Sequence, residues 1–357
     1  MKGGVLSAKQ LVNRALEGMP VPRVPVGPLA VHFCAGVAGV SVRAYTTQAR
    51  VLAESVIRYY ERFQPDAVWV SADTWVSAEA MGAQVGATGD DQPFGGCGAR
   101  VARTAADLAR IPAPDPATQG RYPLMLEALG RVVEALGREV FIVACLDQYP
   151  FSLAAALMGI GELMLKLSDD PPLVEALMER CLEFGVAYGC ALASVGADLL
   201  SGGDSPAGLI GPQAYRRFAW PFERRLISSL KTTTGKPVSL HICGQATPLL
   251  ADMAATGADV LEIDHQVDLA PACRIVGPAV GLWGNLDPVG VLAQGTPAQV
   301  ERAACSVLAA VNAAGHRRFV LSSGCTLAME TPVENLEAMK RAALQPRSGP
   351  APSKVKP

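Results

Sequence analysis

The chain has 357 residues, half of them hydrophobic, with 31 Lys and Arg against 33 Asp and Glu for a formal net charge of −2. That length suits one α/β barrel, which runs about 250 residues and often more with insertions. No basic stripe points to nucleic acid, and no like-charge run points to a partner-binding tail. The longest apolar stretches are broken by Gly, Pro or charge before the roughly 20 residues a membrane span needs. The start, Met1-Lys2-Gly3-Gly4, lacks a signal peptide's apolar stretch. Nine scattered cysteines, an odd number, argue for reduced thiols in a cytoplasm rather than a disulfide framework.

In chain order, residues 1–23 are expected to form an N-terminal extension. Strands are then predicted at 26–33, 67–72, 140–144, 198–201, 237–242, 260–263, 279–283 and 318–321. Each is a short apolar run bounded by Gly and turn residues, the pattern of a buried parallel strand. Helical spacing fills 48–63, 123–136, 153–192, 212–230 and 297–314 between them. This alternation predicts an α/β fold with a parallel sheet, and eight such units predict a closed (β/α)8 TIM barrel, one domain over 24–345. No G-x-G-x-x-G or Walker A pattern follows any strand, so nucleotide binding has no support. Residues 83–116, rich in Gly, Pro and Asp, read as an insertion after the second strand that could act as a lid. Residues 346–357 read as a disordered tail.

The residues that follow the strands carry the chemistry. In order they are His32 and Cys34; Asp73; Cys145 and Asp147; Asp204; His241 and Cys243; Asp264 and His265; Asn285 and Asp287; and Cys325. In barrels of this type the active site is built from these loops at the C-terminal face. The polar groups are therefore expected to converge on one mouth. Asp287, before Pro288, is expected to be a helix cap; Asp73 and Asp204 are expected to line the mouth, although Asp is also favoured in caps and turns.

The strongest signal is His241-Ile242-Cys243-Gly244 with Ser323-Gly324-Cys325-Thr326 far downstream. Taken singly, each of the three is more often a core residue. Together, one imidazole and two thiols at strand ends are the ligand types zinc prefers. Three protein ligands with an open fourth position mark a catalytic rather than a structural zinc.

These residues resemble the uroporphyrinogen decarboxylase superfamily. More narrowly they resemble its zinc-dependent branch, typified by methylcobalamin:coenzyme M methyltransferases and related corrinoid methyltransferases. The resemblance runs from about Val24 to Ala343. It rests on His241-Ile242-Cys243-Gly244, residues 259–264, Gly284-Asn285-Leu286-Asp287-Pro288, and Ser323-Gly324-Cys325 leading to Glu330-Thr331-Pro332. It implies a methyltransferase with His241, Cys243 and Cys325 on Zn2+, a methylcobalamin-type corrinoid as co-substrate brought by a separate corrinoid protein, and a small thiol or other methyl acceptor. Cobalamin-independent methionine synthase also looks similar here; its ligating carboxylate falls near Glu262-Ile263-Asp264, which makes Asp264 a candidate fourth ligand and Glu262 the second choice.

The chain departs from the decarboxylases themselves. Those enzymes carry an Arg-rich segment after the first strand that binds the carboxylates of a porphyrinogen. Residues 33–40 here, Phe-Cys-Ala-Gly-Val-Ala-Gly-Val, hold no arginine. A site for many carboxylates needs guanidinium forks. Asp73 matches the decarboxylases' catalytic Asp by position, so a tetrapyrrole decarboxylase stays as the rival reading. A non-catalytic barrel that binds a corrinoid or metal is the other. In the zinc reading, coordination deprotonates a thiol that is otherwise a poor nucleophile, and a substrate sulfur held beside two thiolates stays electron-rich enough to attack a methyl carbon.

Overall fold

A computed structural model describes residues 6–86, 94–95 and 101–344. The expected disordered tail, and part of the expected lid, lie outside the described residues. Seven parallel strands form one curled sheet in chain order: β1 (Ala67–Val70), β2 (Phe141–Gln148), β3 (Leu199–Gly203), β4 (Ser239–Ile242), β5 (Val260–Ile263), β6 (Gly281–Leu286) and β7 (Phe319–Ser323). Helices follow the strands and cover the sheet, giving the (β/α)8 barrel architecture.

The expected first strand, 26–33, is corrected. Only Val26 makes a bridge, to Leu321 of β7, and a helix already begins at His32 (His32–Ala38). The cause is local. Pro25 and Pro28 have no N–H to donate, so a continuous ladder cannot form. The segment still closes the barrel. Leu321 N donates to Pro25 O (2.9 Å), Gly27 N donates to Leu321 O (3.0 Å), and Asp66 N, just before β1, donates to Val26 O (2.7 Å). Gly27 is required by space: a Cβ there would stand 2.7 Å from the Trp283 ring. Its carbonyl accepts the Trp283 indole N–H at 2.6 Å.

Alternation along each strand divides two cores. Ala67, Trp69, Phe141, Val143, Leu199, Val260, Trp283 and Val320 point into the barrel. Their neighbours Val68, Ile142, Leu240, Leu261 and Leu282 face the helices. Val12 of the first helix (Ala8–Leu16) joins the interior cluster, so that helix covers the bottom of the barrel. Going up the barrel, the inward positions turn polar: Ser201 on β3, Ser239 and His241 on β4, and Glu262 on β5. This change from apolar floor to polar top positions the site.

The helices are shorter than their periodicity suggested. The expected 153–192 run divides into Pro150–Met158, Ile160–Asp169 and Pro171–Val195. Gly159, at φ 88°, and Pro171 supply the breaks. The 212–230 run divides into Gly211–Phe218 and Trp220–Thr234, with Pro221 in the first turn of the second. Residues 85–86 pair with 94–95 as a short antiparallel ribbon inside the expected insertion. No single described helix is long and apolar enough to cross a membrane; one pair, Pro150–Met158 with Ile160–Asp169, passes by composition but bends by 106°.

Barrel closure depends on one buried carboxylate. Asp66 accepts from Val26 N at 2.8 Å and from both Arg23 guanidinium nitrogens at 2.6 and 2.7 Å. Asp66→Ala is expected to cost about 1.5–3 kcal/mol, the range for hydrogen bonds to charged groups. The check is a lower denaturant midpoint, with Asp66→Asn losing less because an amide oxygen still accepts from Val26. Equal midpoints for wild type and Asp66→Ala would contradict this account of closure.

Candidate metal centre

Strand register brings the site together. On β4 and β5, His241 lies directly opposite Glu262, and on β3 Gly203 lies opposite His241. The His241 ring is buried, and its Nδ1 sits 2.9 Å from the Glu262 carbonyl. That carbonyl can only accept, so Nδ1 carries a proton and Nε2 is the ring nitrogen turned toward the mouth. Nε2 is 2.9 Å from Cys243 Sγ, two residues on. Cys325, just past β7, brings its Sγ to 3.7 Å from Cys243 Sγ. His241, Cys243 and Cys325 are the one such group among the described residues, with ligand atoms within 4.8 Å of one another.

The donor set fits a tetrahedral zinc. Two sulfurs each about 2.3 Å from one ion are about 3.8 Å apart at the tetrahedral angle, and the observed separation is 3.7 Å. The His241–Cys243 pair is closer than the about 3.5 Å that the same geometry needs, since here it forms a direct hydrogen bond. The hydrogen bond to Cys325 holds Cys243 below its ordinary value, at about 7. The same bond, with burial, pushes Cys325 up to about 12. Burial opposes charge on His241, but the Cys325 sulfur and Glu262 outweigh it and raise the ring to about 9.

The three residues open onto a cavity of about 320 Å³. Its lining includes the apolar Leu29, Val31 and Trp69 and the polar Asp73, Cys145, Asp147, Gln148, Ser201 and Glu262. Glu262 accepts from Ser201 Oγ (2.6 Å) and Ser239 Oγ (2.5 Å), and burial raises its pKa. Asp73 lines the cavity, but its carboxylate is held by the Arg121 guanidinium and by Trp75 N (2.7 Å). Arg121 also binds Glu79, at 2.5 Å.

Two expected residues lie elsewhere. Asp204 is completely buried and is absent from the cavity wall, which corrects its expected place at the mouth. Its Oδ1 accepts from Ser152 N at 2.6 Å, and it interacts with Glu223, whose carboxylate accepts from Tyr215 OH. Asp264 stands outside the three-residue group. Its Oδ1 takes Gln266 N (2.8 Å) and His265 Nδ1 (3.1 Å), closing the turn after β5. Asp287 caps the next helical turn, accepting from Val289 N and Gly290 N at 2.9 and 3.0 Å, as its position before Pro288 predicts. His32 Nε2 donates to Ala72 O (2.7 Å) and the residue lines the cavity; Cys34 is buried in its helix.

Three functional-looking side chains were not singled out from sequence. Arg121 lies at a helix start, 48 residues past Asp73, and no local pattern links them. Glu223 and Tyr215 sit in helices whose spacing reads as ordinary amphipathic surface.

The family model for uroporphyrinogen decarboxylase matches residues 7–345. The chain belongs to the uroporphyrinogen decarboxylase family. Within it, a methylcobamide:CoM methyltransferase, MtbA, from Methanosarcina acetivorans is 32% identical, covering 94% of this chain and 97% of that protein. A uroporphyrinogen decarboxylase from Prochlorococcus marinus is 28% identical over 77% of each chain. Among solved structures, a methyltransferase from Methanosarcina mazei superposes with a TM-score of 0.85 at 26% identity, covering 95% of this chain and 98% of that one. The family fold is therefore the barrel described above.

The buried Glu223 makes a testable point about stability. Burial, then the Asp204 charge, raises its pKa well above the ordinary range. A carboxyl raised in the fold adds stability below its unfolded value, near about 4.3, and that contribution falls as pH rises. Glu223→Gln keeps an acceptor for Tyr215 and removes the titrating group. Its melting temperature relative to wild type is expected to rise from pH 5 to pH 8; a difference that stays flat with pH would contradict the assignment.

Proposed function

We propose that this protein is a zinc-dependent methyltransferase that moves a methyl group from a corrinoid, carried by a separate protein, to a small thiol. The single observation that carries this reading is the His241–Cys243–Cys325 group opening onto a small cavity. The relatives named as methylcobamide:CoM methyltransferases support it. Zinc held by two thiolates and one neutral imidazole would deprotonate a thiol and keep its sulfur nucleophilic.

The chain's own residues do the rest. The Glu262 carbonyl fixes the His241 tautomer, as a partner behind a metal ligand does. Ser205 Oγ accepts from Cys243 N at 3.4 Å and steadies the loop after β4. Leu29, Val31 and Trp69 give the cavity an apolar lining that disfavours water. A volume of about 320 Å³ lies at the low end for ligand sites, about 300–1,000 Å³. It suits a small acceptor, and a corrin macrocycle has to lie across the mouth. In the transfer, the thiolate's electron pair forms the S–C bond. The methyl–cobalt bond breaks with its pair left on cobalt, and the thiol proton goes to solvent.

The rim supports a protein donor. Leu209 and Val289, in the short helical turns after β3 and β6, and Met329, after β7, are exposed apolar side chains beyond the C-terminal ends of the strands. The eight described cysteines are all free, which fits the reducing cytoplasm in which we place the protein.

The decarboxylase alternative asks for cations. The helix His32–Ala38 that replaces the expected first strand end carries none, and no Lys or Arg lines the cavity among the described residues. Uroporphyrinogen is therefore expected to give no coproporphyrinogen above a heat-killed control; measurable product would restore that rival.

Metal analysis tests the main reading. Protein purified without added metal is expected to hold about one zinc per chain. Cys243→Ser is expected to lose most of it and to slow methyl transfer from methylcobalamin by at least the about 10–100-fold that loss of a metal ligand's outer partner costs. The circular dichroism spectrum should hold, because the site is at the rim. Zinc-free protein that turns over at the full rate would contradict the proposal.

A further inference from the structure

The turn after β3 holds His241 and Cys243 by their main chain. Among the described residues β3 and β4 meet at two places, Leu200 opposite Val238 and Gly203 opposite His241. The upper one is closed by Asp204 N, which donates to His241 O at 2.7 Å. One residue on, Ser205 Oγ accepts from Cys243 N at 3.4 Å. The backbone on both sides of Ile242 is therefore tied to two consecutive residues of one turn. That turn continues as the short 3-10 helix Ser205–Leu209, which packs onto the end of β4. A Cβ at Gly208 would stand 3.0 Å from Ile242 Cγ2 and 3.5 Å from Cys243 O, so glycine lets the turn come this close.

The turn is itself seated by the Asp204 side chain. Ser205 and Pro206 line the cavity, while Asp204 turns away from it and is fully buried. Its Oδ1 accepts from Ser152 N at 2.6 Å, in the first turn of the helix Pro150–Met158. That N–H is one of the donors a helix start leaves without an internal partner, and a carboxylate is favoured there. Asp204 O accepts from Ala207 N at 2.9 Å and closes the 3-10 turn. Gly203 O accepts from Tyr149 N at 2.8 Å, and Tyr149 OH donates to Ser239 O of β4 at 2.7 Å. The start of this helix, the turn after β3 and the end of β4 are thus joined by hydrogen bonds through Asp204 and its neighbour.

We propose that Asp204 is a positioning residue for the metal centre. Its carboxylate, seated on Ser152 N, sets the place of the turn, and the turn fixes His241 and Cys243 through His241 O and Cys243 N. The Glu262 carbonyl orients the His241 ring from the β5 side; Asp204 fixes the main chain from the β3 side. Ligands two residues apart can meet one ion only if their backbone is held to within about 0.5 Å. This inference rests on the zinc reading above and gives the buried aspartate a role in it without contact to the metal or the cavity.

The test reads metal binding, not turnover. Zinc affinity of the full chain is measured by competition with a chromophoric chelator, and the visible spectrum of the cobalt(II)-loaded protein reports the ligand geometry. Asp204→Ala is expected to weaken zinc binding by about tenfold or more, as loss of a metal ligand's outer partner does, and to change the cobalt spectrum. Asp204→Asn, whose Oδ1 still accepts from Ser152 N, is expected to restore both. Asp66→Ala, which loosens barrel closure at Val26, is expected to leave zinc affinity and the cobalt spectrum as in the wild type; this separates positioning from a general loss of stability. Should Asp204→Ala fail to fold, Gly208→Ala takes its place, since the added Cβ lifts the turn from Ile242 and is expected to weaken zinc binding. Wild-type affinity and spectrum in Asp204→Ala, or in Gly208→Ala where that stands in, would overturn the proposal, and so would an equal loss in Asp66→Ala. If the wild-type protein takes up neither metal, the zinc reading itself fails, and this inference with it.

Discussion

The bond between His241 Nδ1 and the Glu262 carbonyl is the contact on which the site depends. It exists because β4 and β5 pair in a register that sets these residues opposite each other. It turns the imidazole so that its free nitrogen faces the mouth. The same residue's carboxylate turns into the barrel and collects the hydroxyls of Ser201 and Ser239. One residue therefore joins three strands and aims the only imidazole of the group. Slipping either strand by one position would turn that strand's own side chain toward the helices and part the pair.

Below this contact the barrel is filled by Trp69, Phe141, Leu199, Val260, Trp283 and Val320. This apolar plug makes the upper layer a closed-ended cavity, not a channel. Polar groups at the top are therefore desolvated, and their interactions are strong in either direction. The Cys243 and Cys325 sulfurs reach this space beside the His241 ring. The volume leaves room for a small molecule.

Much of this was legible in the sequence. Parallel strands buried on both faces read as continuous apolar runs, so seven of the eight barrel positions stood out, and so did the residues just past them. His241, Cys243 and Cys325 were recognisable because ligand types at strand ends are unusual in combination. The first barrel position was misread because Val26, Leu29, Ala30 and Val31 look like a strand, while Pro25 and Pro28 remove the donors a strand needs. Asp204 was misplaced for a related reason. Sequence shows that a residue follows a strand but not which way it turns, and Asp204 turns into the helix layer toward Glu223. The tie between Asp73 and Arg121 was invisible, because it joins a strand end to a helix start with no spacing rule between them.

The central claim is a three-ligand metal with a free position facing a thiol. X-ray absorption at the zinc edge, on the purified protein with and without an added thiol, measures it directly. The account predicts two sulfurs at about 2.3 Å and one imidazole nitrogen in the free protein, rising to three sulfurs when thiol binds. A sulfur count that does not change on adding thiol, or four protein sulfurs from the start, would contradict it.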